Sequence, residues 1–290
     1  MKKMNVPNID YSIIFDACIG SMRTGVLKTA LLGKKSFFVM ANDKYIELSN
    51  PYSLHLFLNY DSQVIDETVT HKELVNLYSK LRDNSGAIKF HNEIKNSTDV
   101  CLYCSGNSVA CLDHYLPKDD FSLLSIAPAN LIPSCNDCNF KLNDLYSQNP
   151  PPAIHPYFEH YPGIFNTQWI YARVPLEQPF FVDNNFEAIA IEFYVDFEGV
   201  ELEETIKNRV IFQFENFIVK SYVSRCVEIL TKELNRLRRY LGTANQLKTV
   251  NKAYLLDTMI DHSSNTYHYA TYYALANSNE YLEKVENDFF

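Results

Sequence analysis

The 290-residue chain contains no run of about 18 apolar residues, so no segment is expected to cross a bilayer as a helix. Its opening residues, Met1-Lys-Lys-Met-Asn-Val-Pro-Asn-Ile-Asp10, lack the apolar centre of a secretory signal, which predicts a cytoplasmic protein with no membrane partner. Glycine is scarce, at 8 residues, and no internal repeat or low-complexity segment occurs beyond Asn149-Pro-Pro-Pro152. Basic charge is in deficit: 26 Lys and Arg face 35 Asp and Glu, a formal net charge of −9. Affinity for polyanions comes from cations that neutralise phosphates, so tight unaided binding to nucleic acid is not expected.

What is present is a soluble, globular composition, 47% hydrophobic and rich in Tyr and Phe, long enough to bury one large core or two modest ones. Three zones are expected. Residues 1–96 read as mostly helical: in Tyr52-Ser-Leu-His-Leu-Phe-Leu58 and Thr70-His-Lys-Glu-Leu-Val-Asn-Leu-Tyr-Ser-Lys-Leu81 apolar residues recur at three and four. Residues 97–161 are turn-rich. Residues 162–290 begin with strand-like segments such as Phe186–Phe197 and become mostly helical after 203. A helical region is predicted over Glu203–Leu241, broken near Glu215-Asn-Phe217, with Cys226, Leu230, Leu234, Leu237 and Leu241 as its buried stripe. A last helix is predicted over Tyr272–Val285.

Four of the seven cysteines form two C-x-x-C pairs, Cys101-Leu-Tyr-Cys104 and Cys135-Asn-Asp-Cys138, with thirty residues between them. Each pair lets two thiolates reach one ion from a tight knuckle, and two knuckles complete the tetrahedral four-thiolate shell of a structural Zn2+. With every position taken by sulfur, no water can bind, so this zinc would brace the segment rather than catalyse. The competing readings are plain buried cysteines or a redox pair. Cys18, Cys111 and Cys226 read as core residues.

Between and after the knuckles lie Cys111-Leu-Asp-His-Tyr-Leu-Pro-Lys118, Pro128-Ala-Asn-Leu-Ile-Pro-Ser-Cys135 and Cys138-Asn-Phe-Lys141. Hydrolysis of a phosphodiester needs a proton acceptor, and imidazole titrates near neutral pH, so His114 is the candidate base. Asp113 and the Asn139 side-chain oxygen are hard donors that suit Mg2+ or Mn2+. Adjacent strand residues point to opposite faces, so a strand end or bulge has to re-aim Asp113 or His114. This set resembles the HNH, or ββα-metal, nucleases, in the variant whose third signature residue is Asn. The nine-residue step from Asn130 to Asn139 is also similar to the HNH domain of RNA-guided nucleases. The resemblance covers about the middle fifth of the chain. It implies an α+β fold: a ββα-metal core with a four-cysteine zinc site, a helical N-terminal region and a mixed strand and helix C-terminal region. The short helix of that core is expected over Asn139–Tyr146. The resemblance further implies that Asp113, His114, Asn130 and Asn139 serve catalysis, with Asn130 holding the ββ loop, and that cleavage leaves 5′-phosphate and 3′-hydroxyl ends.

Other residues carry two readings. His155, in His155-Pro-Tyr-Phe-Glu159, either faces the metal or scissile phosphate or packs in the core. Lys118 and Lys141 are phosphate contacts or solvated surface. Arg225, Lys232, Arg236 and Arg239, spaced 7, 4 and 3, are a DNA-backbone stripe or a solvated helix face. His55, His91 and His160 read as structural or exposed.

Residues 97–161 hold only these two lysines against seven acidic side chains, so a scissile phosphate would be held mainly through metal. Together with the His-Pro-Tyr-Phe element, the motifs resemble nucleases of bacterial anti-phage systems, the HNH subunit of Septu-type defence among them, which works with an ATPase partner. The expectation is therefore a DNA endonuclease delivered or licensed by such a partner. RNA as substrate, or a zinc-organised binding module without catalysis, are the alternatives.

Overall fold

The computed structural model describes residues 3–49, 53–139, 141, 153–161, 164–165, 167–175, 191–239 and 247–288. The fold is mixed α and β, and the chain divides into two compact units, Lys2–His160 and Tyr161–Phe290. No described helix is long and apolar enough to cross a membrane.

The first unit opens with α1 (Tyr11–Gly20), α2 (Val26–Gly33) and α3 (Lys35–Ser49). Asp10 caps α1 by accepting the Ser12 N–H at 2.7 Å. Tyr11, Ile14, Phe15, Cys18 and Ile19, one stripe at helical spacing, are all buried. Leu54–Leu56 makes only a single 3-10 turn, not the helix its sequence predicts. Leu54 and Phe57 are buried while Leu56 and Leu58 face solvent, and a three-residue turn is enough to bury residues three apart. The predicted helix over 70–81 is present as two, α4 (His71–Val75), capped by Thr70 on the Glu73 N–H, and α5 (Leu77–Asp83). Then comes α6 (Ile88–Lys95).

The hairpin that follows pairs β1 (Cys111–His114) with β2 (Leu131–Ser134), antiparallel, with Asp113 opposite Ile132 and His114 opposite Leu131. One residue later α7 (Asn136–Asn139) begins and packs on β1, while α6 packs on both strands. The α7 helix starts at Asn136, three residues earlier than the Asn139–Tyr146 segment expected; most of that segment lies outside the described residues, as does Asn149-Pro-Pro-Pro152.

In the second unit β3 (Ile170–Arg173) pairs with β4 (Glu192–Val195); of the predicted Phe186–Phe197 strand, 186–190 lie outside the described residues. Next come α8 (Glu204–Gln213), a π-helical turn (Phe214–Ile218) and α9 (Val219–Arg238). The π turn stands where a break was expected, and the helix runs through it without interruption. Cys226, Leu230, Leu234 and Leu237 lie on the buried side of α9; Leu241 is outside the described residues. The last predicted helix is two, α11 (Tyr267–Asn277) and α12 (Asn279–Asp288), after α10 (Leu247–Ile260). Ser278 separates them and its hydroxyl caps the second on the Tyr281 N–H at 3.1 Å. Asn265, at φ 61°, a conformation Asn tolerates, accepts the Trp169 and Ile170 N–H groups and anchors β3.

Candidate active site and metal frame

The thiols of Cys101, Cys104, Cys135 and Cys138 lie within 4.8 Å of one another and are buried. A tetrahedral Zn2+ with bonds near 2.3 Å would set sulfur atoms about 3.8 Å apart, so the four can hold a metal such as zinc with little movement. The first knuckle turns at Ser105, whose φ of 52° costs a non-glycine residue roughly 1–2 kcal/mol. That turn lets Gly106 N–H donate to Cys104 Sγ at 3.4 Å, and Asn107 Nδ2 reaches both Cys135 Sγ and the Asp137 carboxylate across the second knuckle. Hydrogen bonds from Cys101, Cys135 and Cys138 hold the Cys104 thiol far below the ordinary range. Those from Cys101 lead in drawing Cys135 down to about 6. Hydrogen bonds within the same cluster push the Cys101 and Cys138 thiols up, so the four sulfurs share protons that a divalent cation would displace. Cys18 and Cys226 are core residues; Cys111 is half-buried at the start of β1.

Asp113 and His114 end β1, both buried. Asp113 turns back on its own chain, Oδ1 accepting the His114 N–H at 2.9 Å. Asp113 Oδ2 is buried and makes no close hydrogen bond, the Tyr103 side chain being the side chain that acts on this carboxyl. Burial pushes this carboxyl well above the usual carboxylate range, more than the His114 N–H and the Tyr103 side chain pull it down. The His114 Nε2 lies 2.9 Å from Ser125 O, and since a carbonyl only accepts, Nε2 carries the proton and Nδ1 is the basic nitrogen. Burial lowers the His114 pKa to about 4, so the ring is neutral at pH 7. The Tyr78 ring packs edge-on against it at 4.6 Å, and its hydroxyl donates to Leu112 O. A neutral imidazole with Nδ1 as its basic nitrogen can take a proton, and the buried carboxyl next to it in sequence is a hard donor.

The loop between the strands, residues 115–130, is pinned from both sides. Asn130, fully buried, accepts the Leu116 N–H at 2.8 Å and donates to Leu116 O and Leu124 O, while its carbonyl accepts the Tyr115 N–H. The helical region supplies the other side: Asp61, Leu74, His71, Asn59 and Tyr11 all bond to the loop.

The remaining candidates are placed differently. Asn139 closes α7, half-buried, on the helix that packs against β1. Lys118 pairs with Asp119 at 3.4 Å and is close enough to act electrostatically on both Asp113 and His114. Lys141 is half-buried. His155 sits in an aromatic cluster: Nε2 lies 2.8 Å from the Tyr45 hydroxyl, Nδ1 accepts the Tyr157 N–H, and the ring lies 4.2 Å from that of Tyr115. Of its two readings, this is the packing one. In the second unit Lys232 and Arg239 are exposed, and Arg225 pairs with Glu228. Arg236 is drawn inward, bonded to the buried Glu233 and to Asn251 and stacked 3.8 Å from the Tyr254 ring centre, so it stands apart from both the stripe and the solvated-face readings. His91 is buried and His160 exposed.

Sequence reasoning missed Asp61, Tyr78 and Ser125. Asp61 lies in a turn, Ser125 acts through its backbone carbonyl, and Tyr78 belongs to an apolar helix stripe; none carries a local signature.

No family model and no solved structure matches this chain. It is similar to protein ea31 of Escherichia phage lambda, 25% identical over 315 residues that span 98% of this chain and 100% of that protein.

Proposed function

We propose that the chain is a metal-dependent endonuclease of the HNH type that hydrolyses DNA, with β1, β2 and α7 as its ββα unit. The observation that carries this reading is the buried Asp113–His114 pair at the end of β1, an under-satisfied carboxyl followed by an imidazole whose tautomer is set by Ser125 O. A zinc-organised binding module has no use for either feature, and an under-satisfied buried carboxylate costs stability unless a ligand meets it.

In this reading His114 Nδ1 accepts the proton of the attacking water as the water oxygen bonds to phosphorus. The P–O3′ bond breaks in line, leaving a 5′-phosphate and a 3′-oxygen that takes its proton from solvent. Asp113 and Asn139 are the side chains that would hold Mg2+ or Mn2+, which supplies positive charge to the non-bridging and departing oxygens when bound. Asn130 keeps the loop closed over the hairpin, and Lys118 adds positive charge near the phosphate. The four-cysteine site, filled by zinc, braces the two ends of the segment.

The acidic balance of residues 97–161 leaves delivery of DNA to a partner, an ATPase subunit of a bacterial defence complex in the motif resemblance. Cleavage of plasmid, single-stranded DNA and RNA in Mg2+, with and without co-purifying proteins, tests the reading. Mg2+-dependent DNA cutting that vanishes in His114→Ala supports it, and cutting that survives the substitution overturns the base assignment. Preference for RNA would move the substrate and leave the chemistry.

A further inference from the structure

We propose that Asp61 is a positioning residue that sets the tautomer of His114 through the turn Ser122–Ser125. Its catalytic meaning rests on the nuclease reading above; its geometry does not. Asp61 is buried, and neither oxygen is spare. Oδ2 accepts the Ser122 N–H at 2.9 Å and the Ser122 hydroxyl at 2.6 Å, while Oδ1 accepts the Leu123 N–H at 3.2 Å. These are the opening donors of the 3-10 turn Ser122–Leu124, which would otherwise be buried without partners.

The same turn is fixed at its other groups. Ser125 N–H closes on Ser122 O at 3.2 Å, the Ser125 hydroxyl donates to Leu74 O at 3.0 Å, and the Tyr11 hydroxyl donates to Leu123 O at 2.7 Å. The turn therefore cannot slide without breaking bonds to several N-terminal segments. What it presents to the site is Ser125 O, the acceptor for His114 Nε2–H at 2.9 Å. The two neutral imidazole forms are distinguished by the hydrogen bond one nitrogen makes. Asp61 thus decides, two steps removed, which nitrogen of His114 is left to take a proton. The helical N-terminal region is then part of the machinery.

The test uses the full-length, zinc-loaded protein with Asp61→Asn and the milder Ser122→Ala, which removes one of the three bonds. Long-range proton–nitrogen spectra of the histidine rings, with His114 assigned by its loss in His114→Gln, report the tautomer directly; kcat and KM on DNA are measured in parallel. In wild type His114 is a single Nε2–H form. In Asp61→Asn it becomes a mixture, and kcat falls about 10–100-fold, as expected for a misplaced catalytic group, with KM within about twofold. Ser122→Ala shifts both in the same direction by less, and decides the matter if Asp61→Asn does not fold. An unchanged Nε2–H form in the folded variants overturns the proposal. If wild type cuts no nucleic acid, the nuclease reading falls, and the tautomer comparison still decides the role of Asp61.

Discussion

Replacing Asp113 by asparagine should make the magnesium-free protein more stable while removing its response to Mg2+. The introduced amide oxygen keeps the acceptor for His114 N–H, and a neutral NH2 group replaces the oxygen at Oδ2. The substitution removes a charge that burial penalises, about 1–3 kcal/mol at a pH where the wild-type carboxyl is ionised, and the Tyr103 hydroxyl is the acceptor at hand for the new NH2. For a unit of this size each kcal/mol is worth about 2–4 °C, giving a rise of about 2–12 °C in melting temperature. The pH dependence has a definite sign. The folded carboxyl has a raised pKa, so the native state binds more protons than the unfolded chain at pH values above about 3.8. Wild-type stability from this group is full below that value and is lost as pH rises through the folded pKa. The advantage of the variant should therefore grow with pH. Mg2+ reverses the order: at a hundredfold excess over its Kd it stabilises wild type by about 2.7 kcal/mol and leaves the variant unmoved. Melts followed by far-UV circular dichroism, with zinc present and Mg2+ added or withheld, measure both effects. A variant less stable than wild type at pH 8 without Mg2+, yet still stabilised by it, would refute the assignment of Asp113 as a cation ligand.

Other predictions use separate reporters for the two units, since the single tryptophan, Trp169, lies in the second unit and the zinc site in the first. Cys101→Ser or Cys138→Ser should lose the bound zinc by elemental analysis and loosen the first unit, because binding there is folding energy; unchanged zinc content would sink the four-cysteine assignment. Asn130→Ala should cost about 2–3 kcal/mol by zinc release in denaturant, having left the Leu116 N–H and carbonyl without their partners. His114→Ala should lower kcat by about 10²–10⁴. With its pKa held down near 4, the base should stay active as pH falls through 6.5 and fail only below about pH 5, the depressed value protecting the neutral form. Arg236→Ala should lower the Trp169 unfolding midpoint by breaking a buried pair worth about 3 kcal/mol; Arg239→Ala, at an exposed position, should not.

The two C-x-x-C pairs were legible because metal spacing is local: three residues decide whether two sulfurs can face one ion. The hairpin between them was legible only through the motif resemblance, in which Asp113-His114 ends one strand and Asn130-Leu131 opens the next. Long helices announced themselves by period, as Cys226–Leu237 does, and even the break near Glu215 left a trace. What stayed hidden depends on distant partners. Nothing around Arg236 distinguishes it from Arg239, yet Glu233 and Tyr254 draw one inward and leave the other in solvent. His155 is decided by Tyr45, which lies 110 residues away. Asp61 reads as a turn residue, and only the fold shows its oxygens on Ser122 and Leu123. Local chemistry is written in spacing; the side chains that aim it are selected by tertiary contact.

The most direct test of a metal-dependent nuclease with His114 as its base is a single-turnover comparison of DNA cleavage in Mg2+. It sets the full-length, zinc-loaded protein against its His114→Ala variant, each prepared with its co-purifying proteins. Cleavage by wild type alone, with 5′-phosphate and 3′-hydroxyl ends, is the predicted result. Equal cleavage by both, or none by either, would contradict it.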